Sequence, residues 1–283
     1  MMQLGIRLHD VEQMPLEQRL ATMRDQGFTC CHLALRFGFP DVPCTPGALT
    51  PGYASYLKRT FAQGGIDIAV LGNYLNLLHP DTDYIDHAIQ MYMAHIRFAS
   101  LLGCGVVATE TGAPNREYAF CPECRDEKTL SLFVQRLKPI VRCAEQFGVI
   151  LAIEPLVRHS VWNPVVCRKV LDEIGSHNLQ VLFDPVNLLD ISNVDHCDEL
   201  FQSVIELVGD DITVVHLKDY KHSDDGKELV TLGVSAGMGE MDYSRIMRFL
   251  KREKPYIFAT LEDVKPENAV FCAAAMKRAY EDA

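Results

Sequence analysis

The sequence predicts a (βα)8 barrel, a single TIM barrel domain spanning residues 1–283. Three observations predict it. Short apolar runs alternate with longer amphipathic stretches from one end of the chain to the other. The runs are continuously apolar instead of alternating, which implies strands buried on both faces and therefore a parallel sheet. Eight such units occupy 283 residues and leave no room for a second domain. An open, doubly wound sheet is the rival architecture, but no GxGxxG turn follows the first strand.

The elements follow in order. A strand over residues 4–8 precedes a helix over 16–26 that ends at Gly27. The second strand, 29–35, carries Cys30 and Cys31 within its apolar run, and its helix covers 53–63 before Gly64. Strand three, 68–71, leads to a helix over 83–102 closed by Gly103. Strand four, 106–109, leads through a long connection to a helix over 130–147 that stops at Gly148. That helix has the clearest 3.6-residue period, with Leu130, Phe133, Val134, Leu137, Val141 and Ala144 on one face. Strand five, 150–153, precedes a helix over 164–174 that opens on Asn163-Pro164, proline being pre-set for a first helical turn. Gly175 closes it. Strand six, 179–183, leads to a helix over 198–208 and Gly209, and strand seven, 212–217, to a helix over 243–252. Strand eight, 257–260, leads to a last helix over 267–280 that opens near Lys265-Pro266. Each of the six glycines stands where a left-handed residue ends a helix.

Hydrophobic residues make up 48% of the chain and charged residues 23%, an ordinary balance for a protein with a sizeable core. The formal net charge of −11 opposes binding to a phosphate backbone, so no nucleic-acid partner is expected. Met1-Met2-Gln3-Leu4 lacks the basic start of a signal peptide, and no apolar run approaches the ~20 residues of a membrane span. A cytoplasmic location without membrane contact is expected, with the ten cysteines reduced and mostly acting as small hydrophobes. Cys121-Pro122-Glu123-Cys124 is one CxxC with no second pair at zinc-site spacing. The composition leaves a homo-oligomer open.

In a parallel barrel the C-terminal strand ends face the active-site mouth. At strands five to eight those positions are Glu154, Asp184, His216 and Glu262. Three carboxylates converging there repel one another unless a cation joins them, so the four are expected to ligate one divalent metal. One imidazole with three carboxylates favours Mn²⁺ or Mg²⁺, with Co²⁺ or Zn²⁺ as alternatives. Around them, Glu110 after strand four, His9 after strand one, Arg158 and Lys218 are candidate substrate contacts, and Asn73, Tyr74 and Asn76 follow strand three. The connection over residues 111–129 is long enough to be a lid. Gly233, Gly237 and Gly239 suggest a tight loop closing over the substrate after strand seven.

The segments Ala152-Ile153-Glu154-Pro155, Phe183-Asp184-Pro185-Val186-Asn187, His216-Leu217-Lys218-Asp219 and Leu261-Glu262 resemble the sugar isomerase/epimerase superfamily of xylose isomerase-like barrels. That group includes ketose 3-epimerases, hydroxypyruvate isomerase, inosose dehydratase and the apurinic endonucleases. The resemblance covers nearly the whole chain. It implies a metal-dependent epimerase or isomerase acting on a small-molecule sugar or keto-sugar derivative through an enediolate. It also implies that Glu154 and Glu262 are the acid/base pair, one on each face of the substrate. Three positions depart from the ketose 3-epimerase pattern: Asn187 stands where those enzymes have His, Ser160 where they have Glu, and His222 where they have Arg. Asn187 and His222 remain substrate-contact candidates, and the Asp-Pro-Val-Asn form is closer to barrels acting on keto-glycosides. A hydro-lyase of the inosose dehydratase type is the alternative reaction on the same scaffold. A phosphodiesterase of the apurinic endonuclease type lacks its third-metal His at Asn187, and a non-catalytic sugar-binding barrel has no need of the ligand quartet.

Overall fold

The computed structural model describes residues 2–283. Its eight long strands are parallel: β1 (Gln3–Arg7), β2 (Cys30–Leu33), β3 (Asp67–Gly72), β4 (Val106–Glu110), β5 (Ile150–Glu154), β6 (Leu179–Phe183), β7 (Ile212–Leu217) and β8 (Phe258–Leu261). They run in sequence order around a closed barrel, with β1 hydrogen-bonded to both β2 and β8. The helices are α1 (Leu16–Asp25), α2 (Leu35–Gly38), α3 (Pro51–Gly64), α4 (Thr82–Leu102), α5 (Glu127–Phe147), α6 (Pro164–Ile174), α7 (Cys197–Val208), α8 (Ser244–Glu253) and α9 (Ala269–Glu281).

The chain groups into two compact units, divided within β3 and β6. One holds residues up to Leu33, Arg59–Ala69 and Phe183–Ala283; Leu4, Ile6, Leu20, Met23, Val214, Leu250 and Leu261 lie in its core. The other holds Ala34–Lys58 and Val70–Leu182, and its core includes Tyr92, Phe98, Val107, Phe133, Leu137, Leu151 and Ile153. Each large apolar side chain so buried contributes roughly 1.5–3 kcal/mol.

Local signals account for most element ends. Asp81 caps α4 by accepting from the Asp83 and Tyr84 amides at 3.0 and 3.3 Å, and Asn163 caps α6 by accepting from Val166 N at 2.8 Å. Gly103, Gly148 and Gly175 are left-handed at φ 84°, 63° and 65°, as their positions predict. Gly64 and Gly209 are not. Gly64 is still helical, and its missing Cβ admits the Leu20 side chain, while Gly65 takes the left-handed turn at φ 68°. Gly209, at φ −55°, opens a 3-10 turn and lies against the Phe249 ring. Pro266 falls in the turn before α9, whose N-cap is Asn268.

The loop from β7 to α8 holds more structure than its glycines suggest. Lys221–His222 pairs antiparallel with Leu229–Val230. The buried Asp219 carboxylate accepts from four backbone amides: Tyr220 and Met241 on Oδ1 at 2.9 and 2.8 Å, Gly237 and Gly239 on Oδ2 at 3.0 Å each. A Cβ at Gly239 would collide with the Tyr220 carbonyl, and Gly237 is left-handed at φ 81°. These glycines therefore wrap an internal carboxylate. Asp219→Ala leaves four amides without their acceptor and should cost at least ~3 kcal/mol in urea denaturation, since each stranded donor costs about 1–3 kcal/mol. A loss under ~0.5 kcal/mol, the range of an ordinary surface substitution, would contradict this role.

Candidate metal centre

Glu154 is the last residue of β5 and His216 the fifth of β7, whereas Asp184 and Glu262 directly follow β6 and β8. All four are buried. His32, His216 and Glu262 each present a ligand atom within 4.8 Å of the others, while Glu154 stands at the end of β5. His216 Nδ1 lies 3.0 Å from Glu262 Oε1.

The chain immediately after β6 aims Asp184. Its Oδ1 accepts from Val186 N at 2.9 Å and Asn187 N at 3.2 Å, a turn that short Asp side chains favour. Its Oδ2 faces Lys218 Nζ at 3.2 Å. Lys218, itself buried, donates to Asn187 Oδ1 at 2.6 Å and stands 3.6 Å from Glu262 Oε2. Lys218 and Asn187 are therefore beside the proposed ligands, held by one another.

Two groups that sequence reasoning did not single out complete the surroundings. His32, on β2 and fully buried, places Nδ1 3.0 Å from His216 Nε2. Burial, then the facing His216, hold the His32 imidazole far below its ordinary pKa, so it is neutral. If His216 turns Nδ1 to a metal, its remaining proton is on Nε2 and His32 Nδ1 is the acceptor. Arg7, the last residue of β1, lies 3.6 Å from Glu262 Oε1 and binds Asp10 and Asp263 at 2.9 and 2.7 Å. Asp263 is left-handed at φ 55°, and Ser235 Oγ donates to its carbonyl at 2.6 Å. Burial alone would raise the Glu262 carboxyl; His216, Arg7 and Lys218 more than reverse this and hold it well below the usual carboxylate range.

The remaining expected contacts divide. Glu110 ends β4 opposite Glu154 in register, with Oε2 3.8 Å from His159 Nδ1. His9 is half-buried in the turn after β1, and burial with Arg7 brings its pKa down to about 4. Arg158 is exposed in a turn. His222 is exposed on the hairpin, with Nδ1 2.8 Å from Glu240 Oε2. Asn76 is engaged structurally: Nδ2 donates to the Ala113 and Asn115 carbonyls, and Oδ1 accepts from Leu78 N and Ala113 N. Ser160 Oγ donates to Thr111 O.

These bonds pin the base of the connection over residues 111–129, which becomes helical at Glu127. Arg125 ties it further by donating to His159 O at 2.8 Å and lying over the Phe120 and Trp162 rings. Cys121 and Cys124 have their sulfurs 3.8 Å apart. Among the described residues, no helix is long and apolar enough to cross a membrane.

The donor set fits a divalent cation. The buried carboxylates Asp184 and Glu262 share Lys218, and Arg7, beside Glu262, is shared in turn with Asp10 and Asp263. The centre thus retains negative charge, and its oxygen-rich, one-nitrogen composition suits a hard or borderline ion.

The barrel is similar throughout its length to several solved structures. A D-tagatose 3-epimerase-like protein is 19% identical, with a TM-score of 0.74 over 99% of this chain and 98% of that chain. The 3-keto-D-glucoside 4-epimerase YcjR from E. coli is 13% identical, with a TM-score of 0.69 over 98% and 99%. The IOLI protein, solved with a binding zinc atom, is 14% identical, with a TM-score of 0.75 over 99% of each chain. At these identities the likeness is one of fold. No curated protein matches the sequence. The model of one family, however, matches residues 12–277, and the chain belongs to that family, the xylose isomerase-like TIM barrels.

Proposed function

We propose that this protein is a divalent-metal-dependent epimerase or isomerase of a sugar or keto-sugar derivative, moving a proton beside a carbonyl. The carrying observation is the buried group of Asp184, His216 and Glu262 at the ends of β6, β7 and β8, with Glu154 buried at the corresponding end of β5. Mn²⁺ is the proposed ion, with Mg²⁺, Co²⁺ or Zn²⁺ able to substitute. When bound, it supplies Lewis-acid stabilisation of the negative charge that develops on the substrate oxygens. Asp184 and His216 hold the centre in place, Asp184 through its bonds to the Val186 and Asn187 amides and His216 through His32. Lys218, oriented by Asn187, offers an ammonium donor to a substrate oxygen. Glu154 and Glu262 come from strands separated by two others, β6 and β7, and are the acid/base pair of this proposal. One, ionised, takes the proton from the carbon beside the carbonyl, leaving an enediolate, and the other, already protonated, delivers a proton of its own to the opposite face. Return to the same carbon inverts it; return to its neighbour interconverts aldose and ketose. Inversion is the proposed outcome.

The test is turnover in D₂O with ketoses, keto-glycosides and inososes. Deuterium should enter product at the carbon beside the carbonyl. Turnover that carries the original hydrogen intact to its new position, with no solvent label, would mean hydride transfer and sink the two-glutamate scheme.

A further inference from the structure

The end of β3, one face of α4 and the segment joining β2 to α3 enclose a cavity of about 450 Å³ whose lining includes Arg36, Phe37, Asn73, Tyr74, His87 and His95. Cavities of roughly 300–1,000 Å³ hold organic ligands, so this one is ring-sized or larger. Its helical wall is set by sequence spacing: His87, Met91 and His95 recur every four residues and share one face of α4.

The polar groups of the lining suit hydroxyls. Asn73 is 9% exposed, and its buried Nδ2 has no hydrogen-bond partner among the described residues. A buried amide donor stranded in this way is unfavourable until something accepts from it. His95 Nδ1 lies 2.8 Å from the Met91 carbonyl, which can only accept, so that nitrogen carries the proton. Burial brings the ring's pKa down to about 4, and in the neutral ring Nε2 is then an acceptor. Donor and acceptor thus line the same space as the flat faces of Tyr74 and Phe37, the latter 54% exposed. Charge is balanced, with Arg36 and Asp41 both in the lining. A phosphate site would instead concentrate cationic and backbone donors on the anion.

We propose that this cavity binds an uncharged, polyhydroxylated ring, the part of the substrate remote from the reacting carbons. β3, like β5, ends at the C-terminal face of a parallel barrel, the strand end that carries Glu154 on β5. This rests on the function proposed above and narrows it to a glycoside or similarly extended sugar derivative, as opposed to a free monosaccharide or a sugar phosphate.

Binding to the metal-stripped protein separates this inference from the reaction, because it is read without turnover or metal. The probes are maltose, methyl α-D-glucopyranoside and glucose 6-phosphate, followed by calorimetry and saturation-transfer NMR. The two uncharged glycosides should bind, and glucose 6-phosphate should bind no tighter than they do. Asn73→Leu should weaken glycoside binding at least tenfold while Mn²⁺ affinity stays unchanged. Phe37→Ala, at an exposed position where folding is not at stake, should weaken it as well. No glycoside binding, binding indifferent to both substitutions, or preferential binding of the phosphate would each overturn the inference. Failure of the proposed reaction would appear separately, as turnover without solvent label.

Discussion

Glu262→Gln, fully loaded with Mn²⁺, should lose epimerisation by a factor of ~10² to 10⁴, the usual contribution of a positioned acid or base. It should nevertheless continue to exchange one substrate proton with D₂O. Gln keeps the size of the side chain and can still bond to its neighbours, but it cannot accept a proton at neutral pH. Glu154 remains, and it can take the proton on its own face and return a deuteron to that face. The variant should thus label one epimer without converting it, and Glu154→Gln should label the other. Two single-sided exchanges with mirrored preference are what two bases on opposite faces require; a single base serving both faces would lose exchange and epimerisation together. The measurement is NMR of each pure epimer incubated in D₂O with each variant, alongside circular dichroism to show that the barrel is intact. Wild-type epimerisation by either variant would remove that glutamate from the mechanism.

The barrel was legible because its strands are short, continuously apolar runs and its helices mostly close on glycine. Boundaries differ by at most three residues, as at α5, which opens at Glu127 where the period is first visible at Leu130. The four strand-end side chains were legible for a geometric reason: a parallel barrel gives one end of every strand the same address. His32 and Arg7 occupy that same address on β2 and β1. They were missed because each reads as part of an apolar strand until its partner is known. The partner of His32 is 184 residues away and that of Arg7 as many as 256. A polar residue at the end of an otherwise apolar buried run was the available signal. The glycines after β7 were legible only in part, for a related reason. Their spacing marks a tight loop, but only the fold shows that the loop closes on Asp219, which four amides share. His222 belongs to a hairpin that no apolar period announces, and its nearest carboxylate is Glu240, 18 residues on.

Removing ligands should rank these residues by their distance from the metal. The double substitution Asp184→Asn/His216→Ala takes away one charged oxygen donor and the nitrogen donor, and it should leave no stoichiometric Mn²⁺ after dialysis. His32→Leu removes no donor. It strands His216 Nε2 in a buried site and frees the imidazole to turn, so affinity should fall by ~10- to 100-fold, the range for partners that orient a ligand without touching the metal. The same change should lower stability by about 1–3 kcal/mol in the metal-free protein, because the stranded nitrogen is buried whether or not an ion is present. Mn²⁺ titration calorimetry and urea denaturation of stripped protein separate the two effects. Asp184→Asn/His216→Ala protein that retains one equivalent of Mn²⁺ would place the metal elsewhere. His32→Leu protein with unchanged affinity and lowered stability would reduce His32 to a packing residue. An affinity loss in His32→Leu as deep as in the double variant would instead make His32 a ligand, in the His32, His216 and Glu262 group that the barrel also brings together.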